Sequence, residues 1–324
     1  MIEITTPARL HFGLLSAGPL TPGLGRRFGG VGMMVEQPGV RLRLSPAAAE
    51  WTAEGPLAER ALAFARQFAS LSTVSGQPIS PQRLVVETAP PPHAGLGSGT
   101  QLGMAVARGL ALATGQPELP VAELAGRVGR GLRSGVGVHG FAVGGFLVDA
   151  GPKAEETLAP LVARVEVPGD WRIVLALPPV ASDWHGLREQ RAFEQLASEP
   201  PHASITERLC RLVLLGLLPA LVEADLESFG EALYEFNVLA GEVFAPVQGG
   251  TYASPRVAEL VAFLRQEGVR GAGQSSWGPS VFAVLDEDRA ANLAVRLRRR
   301  FDLPDASVLS VCPCNHGAQH RVVP

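Results

Sequence analysis

The sequence predicts an α+β fold in two parts, and three observations carry that expectation. Short alternating strands open the chain: "MIEITTP", "RLHFGLL" and, near Val40, "VRLRLSP". Long runs with helical spacing follow them. In the second half the strands "WRIVLALPP", "PSVFAVLDE" and "ASVLSVCPC" are spread among helices rather than grouped.

Taken in order, Ala58 to Leu71 has helical spacing, and "RLVVETAPP" (Arg83 to Pro91) is a strand stopped by prolines. A glycine-rich loop comes next, then a helix from about Ser98 to Ala113. "PVAELAGRVGRG" is a shorter helix. "GFAVGGFLVDAG" reads as a strand whose small residues admit a close neighbour. A boundary is placed near Pro168, dividing the chain into 1–168 and 169–324. Beyond it lie helices at about Arg188–Ala197, Ser204–Leu217, Asp225–Phe244 and Pro255–Glu267, and "DRAANLAVRLRRRF" is a last helix.

Composition narrows the function. The 324 residues are 46% hydrophobic, enough for one large core or two packed ones. A net charge of −3 gives no broad nucleic-acid footprint. Lys153 is the only lysine, so lysine chemistry could come from nowhere else. No basic, then apolar leader opens the chain. The longest uncharged apolar stretch, Leu212 to Val222, is interrupted by Pro219 and falls short of the ~20 residues a membrane span requires. Cys210, Cys312 and Cys314 do not make a disulfide framework. A cytoplasmic protein with no membrane or nucleic-acid partner is expected.

Gly95, Gly97 and Gly99 fall within five residues, directly before a helix. Glycine lets backbone approach a ligand closely, and the first N–H groups of a helix lack intrahelical partners and point at one spot. The helix dipole makes that spot attractive to phosphate. The loop lacks the Lys-Ser/Thr ending of a Walker A motif, and the prolines before it spoil a Rossmann entry.

"P-x-x-x-G-L-G-S-G" (Pro91 to Gly99) resembles the phosphate loop of the GHMP superfamily, named for galactokinase, homoserine, mevalonate and phosphomevalonate kinases. "TPARLHFGLL" resembles that superfamily's first motif, and "GAGQSSWGPSVFAV" (Gly271 to Val284) its third. The resemblance implies an N-terminal domain like ribosomal protein S5 domain 2 and a ferredoxin-like C-terminal domain. The kinase groups depart from the pattern. Arg9 stands where a lysine often stands, and Ser134-Gly135-Val136-Gly137 replaces "SG-x-D", with no aspartate before Asp149. A kinase without both would lack a base and one clamp on the γ-phosphate.

Within the superfamily, "GRRFGGVGMMVEQP", "GLGSGTQ", "RSGVGVHGFAVGGFLVDAG" and "GQSSWGP" resemble the β-ribofuranosylaminobenzene 5′-phosphate synthase family. Such an enzyme joins phosphoribosyl pyrophosphate to a para-substituted benzoate. It releases CO₂ and pyrophosphate and supplies an early precursor of tetrahydromethanopterin. Mg²⁺ is expected as a cofactor carried mainly by the pyrophosphate, and a homodimer is expected.

The candidate residues follow from that chemistry. Gly95, Leu96, Gly97, Ser98, Gly99 and Thr100 form the phosphate cradle. Arg26 and Arg27, in the glycine-rich loop "GRRFGGVG" that follows a strand, offer planar forks for phosphate or carboxylate. Arg9 and His11 share one face of a strand, with a core histidine as the rival reading of His11. Arg133, Ser134 and His139 lie where kinases hold their base, and His139 is the candidate acceptor for a para-hydroxyl or para-amino proton. Arg27, His139 and Arg9 are the catalytic candidates. Trp184 and His185 could meet the aromatic acid. Gln274, Ser275, Ser276 and Trp277 supply donors and a ring from a glycine-flanked loop. Glu36 and Asp149 read as surface or strand-end carboxylates ahead of ion ligands. "CPCNHGAQH" lacks paired zinc spacing, and Asn315 stands out there more than the cysteines. Two readings stay open beside the ribosyltransferase: an ATP-dependent GHMP small-molecule kinase and a non-catalytic binder of a phosphorylated metabolite. The acceptor is open between 4-hydroxybenzoate and 4-aminobenzoate.

Overall fold

A computed structural model describes residues 1–17, 25–71, 73–74, 77–179, 187–198 and 203–323. The first part contains β1 (Ile2–Thr5), β2 (Ala8–Ser16), β3 (Phe28–Val35), β4 (Arg41–Pro46), β5 (Thr52–Glu54) and α1 (Ala58–Ser70). A short pair, β6 (Thr73–Val74) and β7 (Gln77–Pro78), precedes β8 (Gln82–Thr88), α2 (Ser98–Ala113), α3 (Val121–Arg127) and α4 (Val136–Val143). Then come β9 (Phe146–Asp149) and β10 (Leu161–Val165). The second part holds β11 (Trp171–Ala176), α5 (Leu187–Ser198), α6 (Ala203–Leu212), a π-helical turn Val213–Leu217, α7 (Leu218–Val222), α8 (Leu226–Gln248) and α9 (Pro255–Gln266). β12 (Gly271–Gln274), β13 (Val281–Asp286), α10 (Glu287–Phe301), β14 (Val308–Val311) and β15 (Gln319–Val322) complete it.

Besides the β6-β7 pair, the described residues form three larger sheets. The first has the order β15-β1-β4-β8-β5, with only β5 parallel to its neighbour. Helices α1 and α2 cover it, with α3 packed on α2, over a core of Ile4, Leu42, Leu44, Phe64, Phe68, Leu102 and Leu110. A side chain at Gly109 would strike Leu44, so glycine there lets α2 lie close on the sheet. The second sheet is β10-β9-β3-β2. The third is β12-β13-β11-β14, which is the 4-1-3-2 order of a β-α-β-β-α-β ferredoxin-like unit.

β11 shows why the third sheet is buried on both sides. Its side chains alternate with a period of two. Ile173 and Leu175 join Phe12, Phe146, Phe229 and Phe236 in a core shared with the second sheet and α8, whereas Val174 and Ala176 join α9 and α10 on the other face. Helix α8 is therefore the wedge between the two parts. The Asp225 carboxylate accepts from Ser228 N–H at its start, and Gly249 ends it in the left-handed conformation.

Three segments differ from the sequence reading. "GRRFGGVG" is a loop only at its start, for Phe28–Val35 is an inner strand. Its glycines reflect crowding: a Cβ at Gly32 would overlap the carbonyl oxygen of Leu10. "GFAVGGFLVDAG" is not one strand, because α4 occupies its start and Gly144 and Gly145, both at positive φ, turn the chain into β9. The tail adds a strand beyond "ASVLSVCPC": β15 pairs with β1, so the last residues return to the first sheet. On that path Asn315 brackets the expected boundary. Its amide donates to Val167 O and accepts from Val167 N–H, each at 2.8 Å.

Candidate active site

A cleft of about 440 Å³ opens where β2, the loop before α4, helix α8 and the 274–277 loop converge. A β-bulge between His11 and Gly13 interrupts the pairing of β2 with β3, and bulges re-aim neighbouring side chains. Arg9 and His11 both line the cleft.

Asn237 fixes the junction. From α8 its side-chain amide donates to Phe12 O at 2.7 Å and Gln274 O at 2.9 Å, and its oxygen accepts from Gln274 N–H at 2.9 Å. Ser275 is fully buried and extends this clamp. Its hydroxyl donates to Gly95 O at 2.7 Å and accepts from His11 N–H at 3.0 Å. Ser276 N–H donates to His11 O at 2.8 Å. The first and third sequence motifs are thus bonded to each other and to the phosphate loop. In consequence Ser275 spends its hydroxyl on the protein, contrary to its expected role as a ligand donor. Gln274 lines the cleft, yet its amide accepts from Ala253 N–H and donates to Ser276 O.

The loop itself is shaped by positive φ at Gly95 (80°) and Gly97 (72°). Any Cβ at Gly95 would overlap Ser275 O, which is why glycine is required there. Leu96 turns into the core and accepts from Arg9 N–H at 3.1 Å through its carbonyl. Gly97 caps α2 without a side-chain hydrogen bond, which leaves the helix's first N–H groups for a ligand. Ser98 is buried, and Thr100 reaches the cleft.

Guanidinium groups gather around this helix start. Arg9 donates to Gly95 O at 3.5 Å, and Arg130 lines the cleft. Arg130 and Arg60 flank one ring, with their central carbons 4.8 and 5.9 Å from the Phe64 centroid. The Arg60 guanidinium fills the space a side chain on Gly99 would take. Burial lowers the affinity of Arg60 for its proton, although an arginine stays charged.

The opposite wall is aromatic. Phe244 and Trp277 meet edge to face at 4.7 Å, and Phe193 contacts them at 5.8 and 5.7 Å. The Arg133 guanidinium lies 4.2 Å from the Phe193 centroid. One side of the cleft therefore suits phosphate, and the other a flat ring.

Behind His11 runs a buried polar chain. His11 Nε2 lies 3.2 Å from Ser134 Oγ, and Ser134 Oγ donates to Asp149 Oδ2 at 3.0 Å. Asp149 is fully buried and also accepts from Gly135 N–H at 2.8 Å and Gly151 N–H at 2.9 Å. Burial raises the Asp149 pKa against those hydrogen bonds. His11 is held well below its ordinary value, first by burial and then by the charge of Arg9.

Of the candidate residues, Arg9, Thr100, Arg133, Ser134, Gln274, Ser276 and Trp277 line the cleft, whereas Gly95, Leu96, Gly97, Ser98, Gly99 and Ser275 are not part of its lining. His139 bonds through Nε2 to Ala159 O at 2.7 Å and is not part of the cleft lining, because α4 turns it toward the 159 segment. Arg26 is forked onto Glu156 and Gly151 O, and Arg27 stacks on Phe28 at 5.0 Å; neither lines the cleft. Trp184 and His185 lie outside the described residues. Among the described residues no cluster of three His, Cys, Asp or Glu forms, Cys312, Cys314, His316 and His320 included. No described helix is long and apolar enough to cross a membrane. Sequence reasoning missed Arg60, Arg130, Phe193, Phe244 and Asn237. Each sits inside a regular helix or, for Arg130, in the connection after α3, without a local motif.

Fold and phosphate loop together define a protein of the GHMP kinase class. The models of the GHMP kinases N terminal domain and the GHMP kinases C terminal match residues 57–145 and 217–303. Two proteins named beta-ribofuranosylphenol 5′-phosphate synthase match almost end to end. The one from Methanothermobacter thermautotrophicus is 34% identical over 88% of each chain, and that from Archaeoglobus fulgidus 31% identical over 89% of each. The chain belongs to the β-ribofuranosylphenol 5′-phosphate synthase family. Among solved structures, a homoserine kinase of Listeria monocytogenes superposes with a TM-score of 0.66 at 20% identity over the whole of both chains. A mevalonate pyrophosphate decarboxylase of Streptococcus pyogenes gives 0.65 at 16% identity over 97% of each. These two share the fold.

Proposed function

We propose that this protein is a decarboxylating aryl ribosyltransferase that condenses phosphoribosyl pyrophosphate with 4-hydroxybenzoate. The products are a β-ribofuranosylphenol 5′-phosphate, CO₂ and pyrophosphate, on the route to tetrahydromethanopterin. One observation carries the reading: a single cleft is lined by Arg9, Arg130 and Thr100 of the first turn of α2 and by the aromatic wall of Phe193, Phe244 and Trp277. The relatives' name, which specifies a phenol product, favours the hydroxybenzoate over the aminobenzoate.

In this reading the start of α2, with Arg9 and Arg130, holds the pyrophosphate and offsets the charge it gains on leaving. Phe193, Phe244 and Trp277 stack the acceptor ring, and Arg133 orients its carboxylate. Holding both reactants in line supplies most of the rate, because neither wall has to reorganise during the reaction. The cleft does not fit a protein-held Mg²⁺ site, since no Asp or Glu is among its described lining residues. The ion would enter on pyrophosphate oxygens. The same lining argues against the kinase reading, which needs a carboxylate base beside the acceptor hydroxyl.

Purified protein given phosphoribosyl pyrophosphate, Mg²⁺ and carboxylate-labelled 4-hydroxybenzoate should release labelled CO₂ only when all are present. Absence of release, with ADP formed from ATP in a parallel reaction, would replace this reading by the kinase. Size in solution would be measured alongside; a homodimer is proposed.

A further inference from the structure

The cleft contains a hydrogen-bonded chain that binding alone does not require. Ser134 Oγ has one hydrogen, and it is directed at Asp149 Oδ2. The Asp149 carboxylate accepts from two backbone N–H groups as well, so it serves as an acceptor throughout. Ser134 must therefore accept from His11, which places the hydrogen of the imidazole on Nε2. Nδ1 is left as the bare, proton-accepting nitrogen, and it makes no hydrogen bond to any described residue. His11 is among the residues that line the cleft, with 5% of its surface exposed.

Resting on the proposed transferase reading, we infer that His11 is a catalytic residue that takes the para-hydroxyl proton of the acceptor ring and returns it. Ser134 and Asp149 act as positioning residues that fix its tautomer.

The step balances without another reagent. The para hydroxyl donates to Nδ1. The ring carbon bearing the carboxylate forms its bond to the anomeric carbon, and pyrophosphate departs with the electron pair of the broken C–O bond. As positive charge spreads to the hydroxyl, its proton passes to Nδ1 and leaves a dienone. Loss of CO₂ returns the C–C pair to the ring, and the resulting phenolate takes the proton back from His11. A weakly basic imidazole suits this role. It stays neutral before the reaction and accepts only once ring attack has made the hydroxyl strongly acidic.

The charged groups around His11 bear on its titration. Arg9 lies beside it on β2, Arg130 and Arg133 face the cleft from the loop before α4, and Asp149 stands behind Ser134. α8 and the 274–277 loop add only the neutral Asn237, Gln248, Gln274 and Ser276 to the polar lining.

The test is kcat for 4-hydroxybenzoate from pH 6 to pH 10 at saturating phosphoribosyl pyrophosphate, in wild type, His11→Gln and Ser134→Ala. Glutamine preserves bulk and a donor to Ser134 but accepts no proton. At pH 7 its kcat should fall on the order of 10²-fold or more, with KM little changed. It should climb toward wild type as the pH passes the range, about 9–10, where a phenol ionises unaided. Ser134→Ala should lie between the two with the same recovery. A folded His11→Gln with wild-type kcat at pH 7, or with an equal loss at every pH, overturns the inference while wild-type CO₂ release upholds the transferase. No CO₂ release from wild type removes both.

Discussion

Gly30 on β3 makes room for Ser134: a Cβ at Gly30 would overlap the Ser134 hydroxyl, and it would stand 2.6 Å from Asp149 Oδ2 and 2.9 Å from Val136 Cγ2. None of these neighbours is the free end of a flexible chain, since Ser134 and Asp149 are held by hydrogen bonds. Gly30→Ala should therefore act by crowding alone. The expected cost is about 1–3 kcal/mol of stability, read as a shift in the urea midpoint. Activity should fall further than that loss of folded protein explains, because Ser134 is displaced from His11.

Asn237 makes a different kind of prediction, for it binds three backbone groups at the junction of β2 and β12. Asn237→Ala would take this partner from Phe12 O, Gln274 O and Gln274 N–H. A loss of about 2–4 kcal/mol in chemical denaturation is expected. The third motif is tied to β2 through the same clamp, so KM for both substrates should rise in the protein that remains folded.

The two walls of the cleft should separate kinetically. Arg130→Ala removes charge from the phosphate side and should raise KM for phosphoribosyl pyrophosphate on the order of 10-fold, as loss of a charge-assisted hydrogen bond does. Phe193→Ala removes ring contacts and should raise KM for 4-hydroxybenzoate by a similar factor. Each KM for the other substrate should change little. A crossed pattern would reverse the placement of the substrates.

Stability should depend on pH through His11. Its folded pKa lies below the ordinary 6.5, so below that pH the unfolded chain binds a proton that the native state refuses. The contribution is fully present above about 6.5 and is lost as pH falls toward the folded value, at up to about 1.4 kcal/mol per pH unit. Thermal midpoints at pH 7, 6 and 5 should fall more steeply for wild type than for His11→Gln.

Much of this site was legible in the chain. The three ordered motifs located the phosphate loop and the strands beneath it, and Arg9, Thr100, Ser134 and Trp277 reached one cleft. What failed had physical causes. His139 looked like the proton acceptor because it sits in the right motif, but helix α4 rotates it away; His11, on the same strand face as Arg9, lines the cleft instead. Asp149 read as a strand end because its partner hydroxyl, Ser134, lies across a helix and a turn. Arg26 looked like a ligand fork, and the fork is taken by Glu156, 130 residues away. The glycines of β3 read as a loop, whereas they mark a strand crowded by its neighbours. Phe193 and Phe244 belong to no local motif, and only the packing of α5 against α8 brings them to a cavity.

The pairing of β15 with β1 has a consequence for how the chain is made. Ile2 lies opposite Val322, so this edge of the first sheet stays open until residues 319–322 have been made. A nascent chain leaving the ribosome would present β1 with one bare flank until β15 follows it out. β15 then acts as the clasp that shuts this sheet.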